Sequence, residues 1–124
     1  MSEPLQNFGV PRNNDTTITV AVLSDIPNDS LLGCTIKFCL YTQQFGIVTN
    51  DIPIFVKTSE AGQGITIPPS PPTLMEFDVQ INQADTVSLD YLNYYYEATI
   101  WDEIGNKVCV IAGICAITVA ENTQ

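Results

Sequence analysis

The chain has 124 residues, and four Lys+Arg against fourteen Asp+Glu give a formal charge of −10 at pH 7. This length suits one domain with its own core, and a surface so short of basic residues is unsuited to nucleic acid. The sequence contains no histidine, which excludes the commonest general base, histidine-dependent triads and the commonest metal ligand. With 45% hydrophobic and 15% charged residues, the composition favours a packed β protein.

The sequence shows no signal for export or membrane insertion. Residues 1–14 are polar and interrupted by proline, unlike a secretory signal. The longest uncharged apolar stretch, Val108–Ala120, is shorter than the roughly 20 residues of a spanning helix. We therefore expect a soluble protein that is made in the cytoplasm and has no membrane partner. In that compartment, cysteines are expected to be buried thiols.

Alternation of apolar and polar residues predicts a series of short strands. In chain order they are Thr16–Val22, Cys34–Tyr41, Ile52–Lys57, Ile65–Ile67, Leu74–Ile81, Tyr94–Trp101 and Lys107–Val119. Turn-forming residues separate them at Asp25–Gly33 and at the proline cluster Pro68–Pro72, which we interpret as a loop. Asn82 and Asp85 have the spacing of a capping box and predict one helical turn that ends near Leu89.

The last two strands form a predicted hairpin with its turn at Asp102–Asn106. The closing strand is apolar on both faces. Either protein covers both faces, or a bulge at Gly113 changes the parity of the inward face. About seven strands with turn signals between them predict an all-β, two-sheet antiparallel sandwich with one short helical turn. We assign residues 15–120 to this domain, 1–14 to an N-terminal extension and 121–124 to a C-terminal tail.

Several short motifs occur in an order typical of one group of proteins. They are Arg12-x-x-Asp15-Thr16, Leu31-x-Gly33-x-x-Ile36-x-Phe38, the Gly64–Ile67 step, Phe77-x-Val79-x-Ile81-x-x-Ala84-Asp85-Thr86, Tyr94-Tyr95-Tyr96-Glu97 and the Gly-x-x-x-Ile of the closing strand. Over nearly its whole length the chain resembles the small immunoglobulin-like proteins of tailed bacteriophages, found in baseplates and tail fibres. The resemblance implies an immunoglobulin-like β-sandwich located in the virion. It also implies a non-enzymatic adaptor, without cofactor, that contacts other virion proteins.

The comparison with antibody domains is looser. Ala84-Asp85-Thr86 before a run of tyrosines is similar to a tyrosine corner, but the segment Val87–Asn93 between them is too long for one. No cysteine pair brackets Trp101 either. We therefore predict the architecture without these details.

The four cysteines do not have the spacing of a metal site. Cys34 and Cys39 are five residues apart on one strand, so they lie roughly 16 Å from each other on opposite faces, and we expect no metal. A disulfide between Cys34 and Cys115 is the alternative to free thiols. Cys34 and Cys115 share parity with the apolar faces of their strands and are predicted to react slowly, whereas Cys39 should react faster.

The outer face of the final hairpin is the predicted partner-binding surface, because a sandwich needs one face of the closing strand for its core and the other must be covered. The predicted contact residues are Tyr95, Trp101, Val108, Val110 and Ile114. Exposed aromatic rings also suit a carbohydrate platform, but Tyr and Trp are generally enriched in protein interfaces. The expected partners are further copies of the chain and other virion proteins, with a capsid-decorating module or binding of a cell-surface glycan as alternatives.

Two carboxylate pairs are candidates for catalytic groups. Glu76 and Asp78 lie on the polar side of one predicted strand, and Asp102 and Glu103 lie in a turn. A glycosidase needs two carboxyls that face each other across an apolar cleft, so we interpret both pairs as solvated surface. No Asp-x-Asp-x-Asp-Gly loop for calcium is present. The sequence thus predicts a protein that is not an enzyme.

Overall fold

A computed structural model of the chain describes residues 7–22, 33–44, 47–60, 62–67, 76–90 and 92–119. These ranges contain strands β1 Phe8–Pro11, β2 Thr16–Ala21, β3 Thr35–Tyr41, β4 Gln43–Gln44, β5 Ile47–Val48, β6 Phe55–Thr58, β7 Ile65–Thr66, β8 Glu76–Ile81, β9 Asn93–Trp101 and β10 Lys107–Thr118, and the helix α1 Gln83–Thr86. The predicted turn cluster between residues 25 and 32, the proline cluster Pro68–Pro72 and the tail 121–124 lie outside the described residues.

The strands form two packed sheets. One has five strands in the order β1-β10-β9-β3-β6, the other has three in the order β2-β8-β7, and β4 and β5 form a separate two-stranded ribbon. The pairings are antiparallel except for β1 with β10, which is parallel. One sheet with β3, β6, β9 and β10 and a second sheet with β2, β7 and β8 is the division of an immunoglobulin-like sandwich, with β1 added to the first sheet. The predicted all-β, immunoglobulin-like sandwich is therefore confirmed.

The core lies between the two sheets, and the apolar residues that alternate along each strand face it. Ile18 pairs with Val79 and Val20 with Phe77 across β2 and β8, and all four side chains are buried. At the centre, Phe38 stacks on Tyr96 with ring centroids 5.1 Å apart. Phe8 approaches Tyr96 at 5.5 Å and Phe55 approaches Phe38 at 6.4 Å. We call Phe8, Phe38, Phe55 and Tyr96 the aromatic cluster.

A tyrosine corner is present at the start of β9, contrary to the sequence interpretation. The Tyr94 hydroxyl donates to the backbone carbonyl of Asp90 at 3.1 Å, the contact that defines this feature. The distance from the Ala84-Asp85-Thr86 motif does not matter, because the hydroxyl needs only a carbonyl four residues upstream. Tyr96 follows two residues later, at the position of the second cysteine of antibody domains.

The N-terminal extension predicted for residues 1–14 is wrong in part, because Phe8–Pro11 forms β1 and extends the five-stranded sheet. The turn after β1 is hydrogen-bonded to the end of α1. The Arg12 guanidinium donates to the carbonyl of Val87 at 2.9 and 3.1 Å, and the Asn13 N–H donates to Thr86 Oγ1 at 2.8 Å. Asn13 has a φ of 65°, which asparagine tolerates better than most residues.

The bulge in the closing strand lies near its start and not at Gly113. Pairing of β10 with β9 is continuous from Cys109 to Ala116, and the register shifts between Lys107 and Cys109. The extra residue, Val108, consequently packs against the core. From Cys109 onward, odd-numbered residues of β10 are buried in the core and even-numbered residues lie on the outer face.

Candidate interaction surface

The outer face of β10 carries a row of apolar side chains that the core does not use. We define Val110, Ala112, Ile114 and Ala116 as the apolar stripe; all four are half-buried. On the neighbouring β9 their partners are Thr99, Glu97, Tyr95 and Asn93, in that order. Tyr95, Val110 and Ile114, which the sequence predicted as contact residues, therefore lie together on one face.

Two other predicted contact residues lie elsewhere. Val108 is wrong as an outer-face residue, since the bulge turns its side chain against the core. Trp101 is on the outer face of β9, but it pairs with Lys107 and Thr35. Its position is six residues from Tyr95, roughly 20 Å along the strand. Tyr95 and Trp101 therefore cannot stack on the same sugar ring.

A tyrosine pair that the sequence analysis missed adjoins the apolar stripe. Tyr41 pairs with Tyr95 across β3 and β9, with ring centroids 6.2 Å apart, and the Tyr95 hydroxyl donates to Glu97 Oε2 at 3.3 Å. Burial, followed by a hydrogen bond with the Cys39 side chain, raises the pKa of Tyr41 to about 12. The period-two pattern already placed Tyr41 on the outer face with Cys39, but the register that puts it beside Tyr95 was not known.

The structure changes the predicted order of thiol exposure. Cys39 lies on the outer face but is 6% exposed, whereas Cys34 is half-buried and Cys115 is fully buried. The prediction that Cys39 is the accessible thiol was wrong because neighbouring side chains on the outer face bury it. All four cysteines are thiols.

A disulfide between Cys34 and Cys115 is excluded by the register. Cys115 pairs with Tyr94 at one end of β9, and Thr35, next to Cys34, pairs with Trp101 at the other end. These positions are seven residues, or about 23 Å, apart along the strand. The Cα atoms of a disulfide lie within about 7 Å of each other.

We expect Cys34 to be the first thiol to react in the native protein and Cys115 the last. Burial, and then the charges of Asp102 and Glu103, raise the pKa of Cys34, so its reaction with a neutral disulfide reagent should still accelerate above pH 9. Burial raises the pKa of Cys115 to about 12, and we expect it to react on unfolding. Stopped-flow titration of the wild type and Cys34→Ser tests this order. A fast phase that survives in Cys34→Ser would contradict it.

Two of the four carboxylates in the predicted surface pairs, Asp78 and Asp102, accept hydrogen bonds from neighbouring residues. Asp78 accepts from the Thr19 hydroxyl at 2.8 Å. Asp102 Oδ1 accepts the N–H groups of Ile104 and Asn106 at 3.0 and 2.9 Å and closes the β9–β10 turn. Within the described part of the chain, no three His, Cys, Asp or Glu side chains cluster as metal ligands would.

A polar groove of about 470 Å³ lies between the edges of β6 and β7, lined by residues that include Lys57, Gln63, Gln80 and Asn82. The Lys57 ammonium is bound to Asp85 at 2.6 Å, so it already has a counter-ion within the protein. Among the described residues, no helix has the length and apolar character to cross a membrane.

No family model matches the chain, and no curated protein sequence matches it. Among solved structures, the chain is similar to murine CRIg, with 15% identity over 93% of this chain and 92% of that chain and a TM-score of 0.39. We draw no functional argument from a likeness of this degree. The fold assignment rests on the strand order and register described above.

Proposed function

We propose that this protein is a non-enzymatic structural protein that works by protein–protein contact through the outer face of its five-stranded sheet. The observation that carries the proposal is the apolar stripe, a set of half-buried aliphatic side chains on the face opposite the core. Together with the resemblance of its motifs to phage proteins, this surface supports a role as an adaptor in the virion of a tailed bacteriophage, at the tail tip, baseplate or fibre. Its partners there are further copies of the chain and other virion proteins.

The distribution of charge supports contact at this face. Although the chain has a net charge of −10, Glu97 is the one carboxylate in β3, β9 and β10. Glu76 and Asp78 lie on β8 in the other sheet, and Asp102 lies in the turn. Because Ala112 and Ala116 are small, a flat partner can approach the stripe closely and exclude water, which stabilises an interface in proportion to the apolar area buried.

We expect the chain to form assemblies larger than dimers, and these should strengthen with salt. Raising the salt from about 0.1 M to about 1 M shortens the Debye length from about 10 to about 3 Å and screens the mutual repulsion of acidic copies. Val110→Asp and Ile114→Asp place a charge in the stripe and should abolish these assemblies while the fold is retained. Analytical ultracentrifugation and circular dichroism measure the two effects.

Ile100→Asp is the control for folding, because Ile100 is fully buried in the core. If both stripe variants unfold as completely as Ile100→Asp, the stripe belongs to the core and the proposed surface is wrong. A chain that stays monomeric at high concentration and at both salt levels also contradicts self-assembly. The virion assignment is tested separately by sequencing the neighbouring genes. Tail genes are expected there, because phage tail genes are clustered, and metabolic genes on both sides would contradict the assignment.

A further inference from the structure

Half of the β10 edge has no strand beside it in the part of the chain that the structure describes. β10 runs over 12 residues, from Lys107 to Thr118. β1 pairs with Cys115–Thr118 alone. The preceding segment, Lys107–Gly113, has β9 on one side and no described strand on the other, and we call this second side the open edge.

The direction of the backbone groups along this edge follows from two hydrogen bonds. The Ile117 N–H donates to the carbonyl of Leu92 at 2.9 Å, so odd-numbered residues of β10 bond toward β9. The Ile114 N–H donates to Asn7 Oδ1 at 2.9 Å on the opposite side, so even-numbered residues bond toward the edge. The N–H and C=O groups of Val110 and Ala112 thus point out of the sheet edge, away from every described strand.

Protection against strand pairing is confined to the start of this edge. Exposed edges commonly carry charged residues, bulges or proline that prevent another strand from adding. Lys107 and the bulge at Val108 are features of this kind, whereas Cys109–Gly113 contains no charged residue and no proline. The edge of the other sheet, β2, differs in this respect. Its neighbour β8 carries Glu76 and Asp78, paired with Ala21 and Thr19 of β2, so two copies that met there would bring four carboxylates together.

We propose that the open edge of β10 pairs with the same edge of a second copy, antiparallel and about a two-fold axis at Val110. An antiparallel pair of identical strands is self-complementary, because each copy offers the same donors and acceptors. β1 fixes the register, since a strand shifted further would collide with Asn7 and Phe8. With the axis at Val110, Lys107 of one copy lies opposite Gly113 of the other.

Charge complementarity favours this register. Glu97 pairs with Ala112 within its own sheet, and in the dimer it lies near the level of Lys107 of the other copy, two strand spacings or roughly 10 Å away. The intervening side chain is Ala112, which is small enough for the Lys107 ammonium to reach over it. The dimer then contains two equivalent contacts between Lys107 of one copy and the Glu97 carboxylate of the other, which also accepts from its own Tyr95 hydroxyl.

The consequence is one continuous sheet made from the two five-stranded sheets, with both apolar stripes on the same side. This inference goes beyond the proposed function, because it concerns the sheet edge and its backbone groups and not the outer face. The two surfaces are separable by mutation, since Ile114 belongs to the stripe but lies outside the paired segment.

Ala112→Pro tests the pairing directly. The Ala112 N–H is not used within the sheet, so proline there leaves the β9–β10 ladder intact, as it does on natural edge strands, but it blocks the second copy. We expect the dimer dissociation constant to rise at least about tenfold, a loss of about 1.4 kcal/mol. Ala112→Ser retains the N–H and should change the dissociation constant far less. Sedimentation equilibrium measures both, and equal effects of the two variants would overturn the proposal.

A charge swap tests the register. Lys107→Glu and Glu97→Lys should each weaken the dimer, and the double variant should recover most of the affinity. Within one copy Lys107 pairs with Trp101, which is four residues, or roughly 13 Å, from Glu97 along β9, so recovery reports a contact between copies. Absence of recovery contradicts the register centred on Val110.

Amide hydrogen exchange provides a test that needs no variant. The N–H groups of Val110 and Ala112 should become protected as the concentration of the full chain rises, whereas exchange that is fast at every concentration overturns the proposal. Ile114→Asp should leave the dimer and its amide protection in place. If the larger assemblies disappear and the dimer persists, the outer face and the edge are separate contacts. A dimer lost with Ile114→Asp but not with Ala112→Pro assigns self-association to the face and refutes the edge.

Discussion

Replacing Phe38 by alanine is expected to lower the free energy of unfolding by about 3–5 kcal/mol. Phe38 is fully buried, and its ring stacks on Tyr96 at 5.1 Å and lies 6.4 Å from Phe55. Removing it opens a cavity at the centre of the aromatic cluster, where rigid strands on both sides limit collapse. Since small domains have a total stability of about 5–15 kcal/mol, we expect a large shift in the urea midpoint.

Two variants serve as controls for this prediction. Phe38→Leu keeps most of the side-chain volume but loses the ring stacking. It should lower the free energy of unfolding by less, about 1–1.5 kcal/mol. Ile47→Ala removes a side chain that is 70% exposed and should stay within about 0.5 kcal/mol of the wild type. If Phe38→Ala destabilises the domain no more than Ile47→Ala, the aromatic cluster is not the centre of the core.

The strands predicted best are those whose local pattern and burial agree. In β2, β8 and β9, alternation gave the correct inward residues, such as Val20, Phe77 and Tyr96, all buried. One face of each of these strands packs against the opposite sheet, so every second residue is apolar and buried. The start of the short helix was also predicted correctly, because its capping contact is local: the Asn82 N–H donates to Asp85 Oδ2 at 2.7 Å. The helix ends at Thr86 and not near Leu89.

The features that the sequence did not predict depend on contacts between distant residues. β1 is short and contains Gly9 and Pro11, and it becomes a strand through parallel pairing with β10. Cys39 has the parity of an exposed residue but is buried by side chains of neighbouring strands. Val108 changes face because of a bulge that a run of apolar residues does not reveal. The apolar stripe was predictable from parity, but its open edge became visible only with the position of β1.

The second large effect concerns a buried ion pair that joins β6 to the helix α1. Lys57 of β6 is 8% exposed, and its ammonium lies 2.6 Å from Asp85 Oδ2 and 5.5 Å from the centre of the Phe55 ring. The same carboxylate oxygen accepts the Asn82 N–H. Gly64 passes so close that a Cβ there would lie 2.8 Å from Lys57 Cδ. The lysine stem is thus held in place, and Asp85 serves both Lys57 and the start of α1.

We expect Asp85→Ala to lower the free energy of unfolding by about 3–5 kcal/mol, because it leaves a buried ammonium without its counter-ion and removes the capping-box acceptor of the Asn82 N–H. Lys57→Met should lower the free energy of unfolding by less than Asp85→Ala does. Methionine preserves much of the packing of the lysine stem, and Asp85, whose side chain is 20% exposed, retains solvent and the Asn82 N–H as partners. The less stable of the two variants therefore shows which side chain, when left alone, destabilises the fold more.

The double variant Lys57→Met/Asp85→Ala completes a thermodynamic cycle. It should be more stable than Asp85→Ala alone, since the unpaired charge is gone and only the loss of the cap remains. Urea denaturation of the four proteins at neutral pH gives the coupling free energy, which we expect to be at least about 1 kcal/mol. The opposite outcome is that the two single substitutions lower the free energy of unfolding equally and that their effects add up in the double variant. The contact between Lys57 and Asp85 would then contribute nothing to stability. The start of α1 and the packing of the lysine stem would act independently.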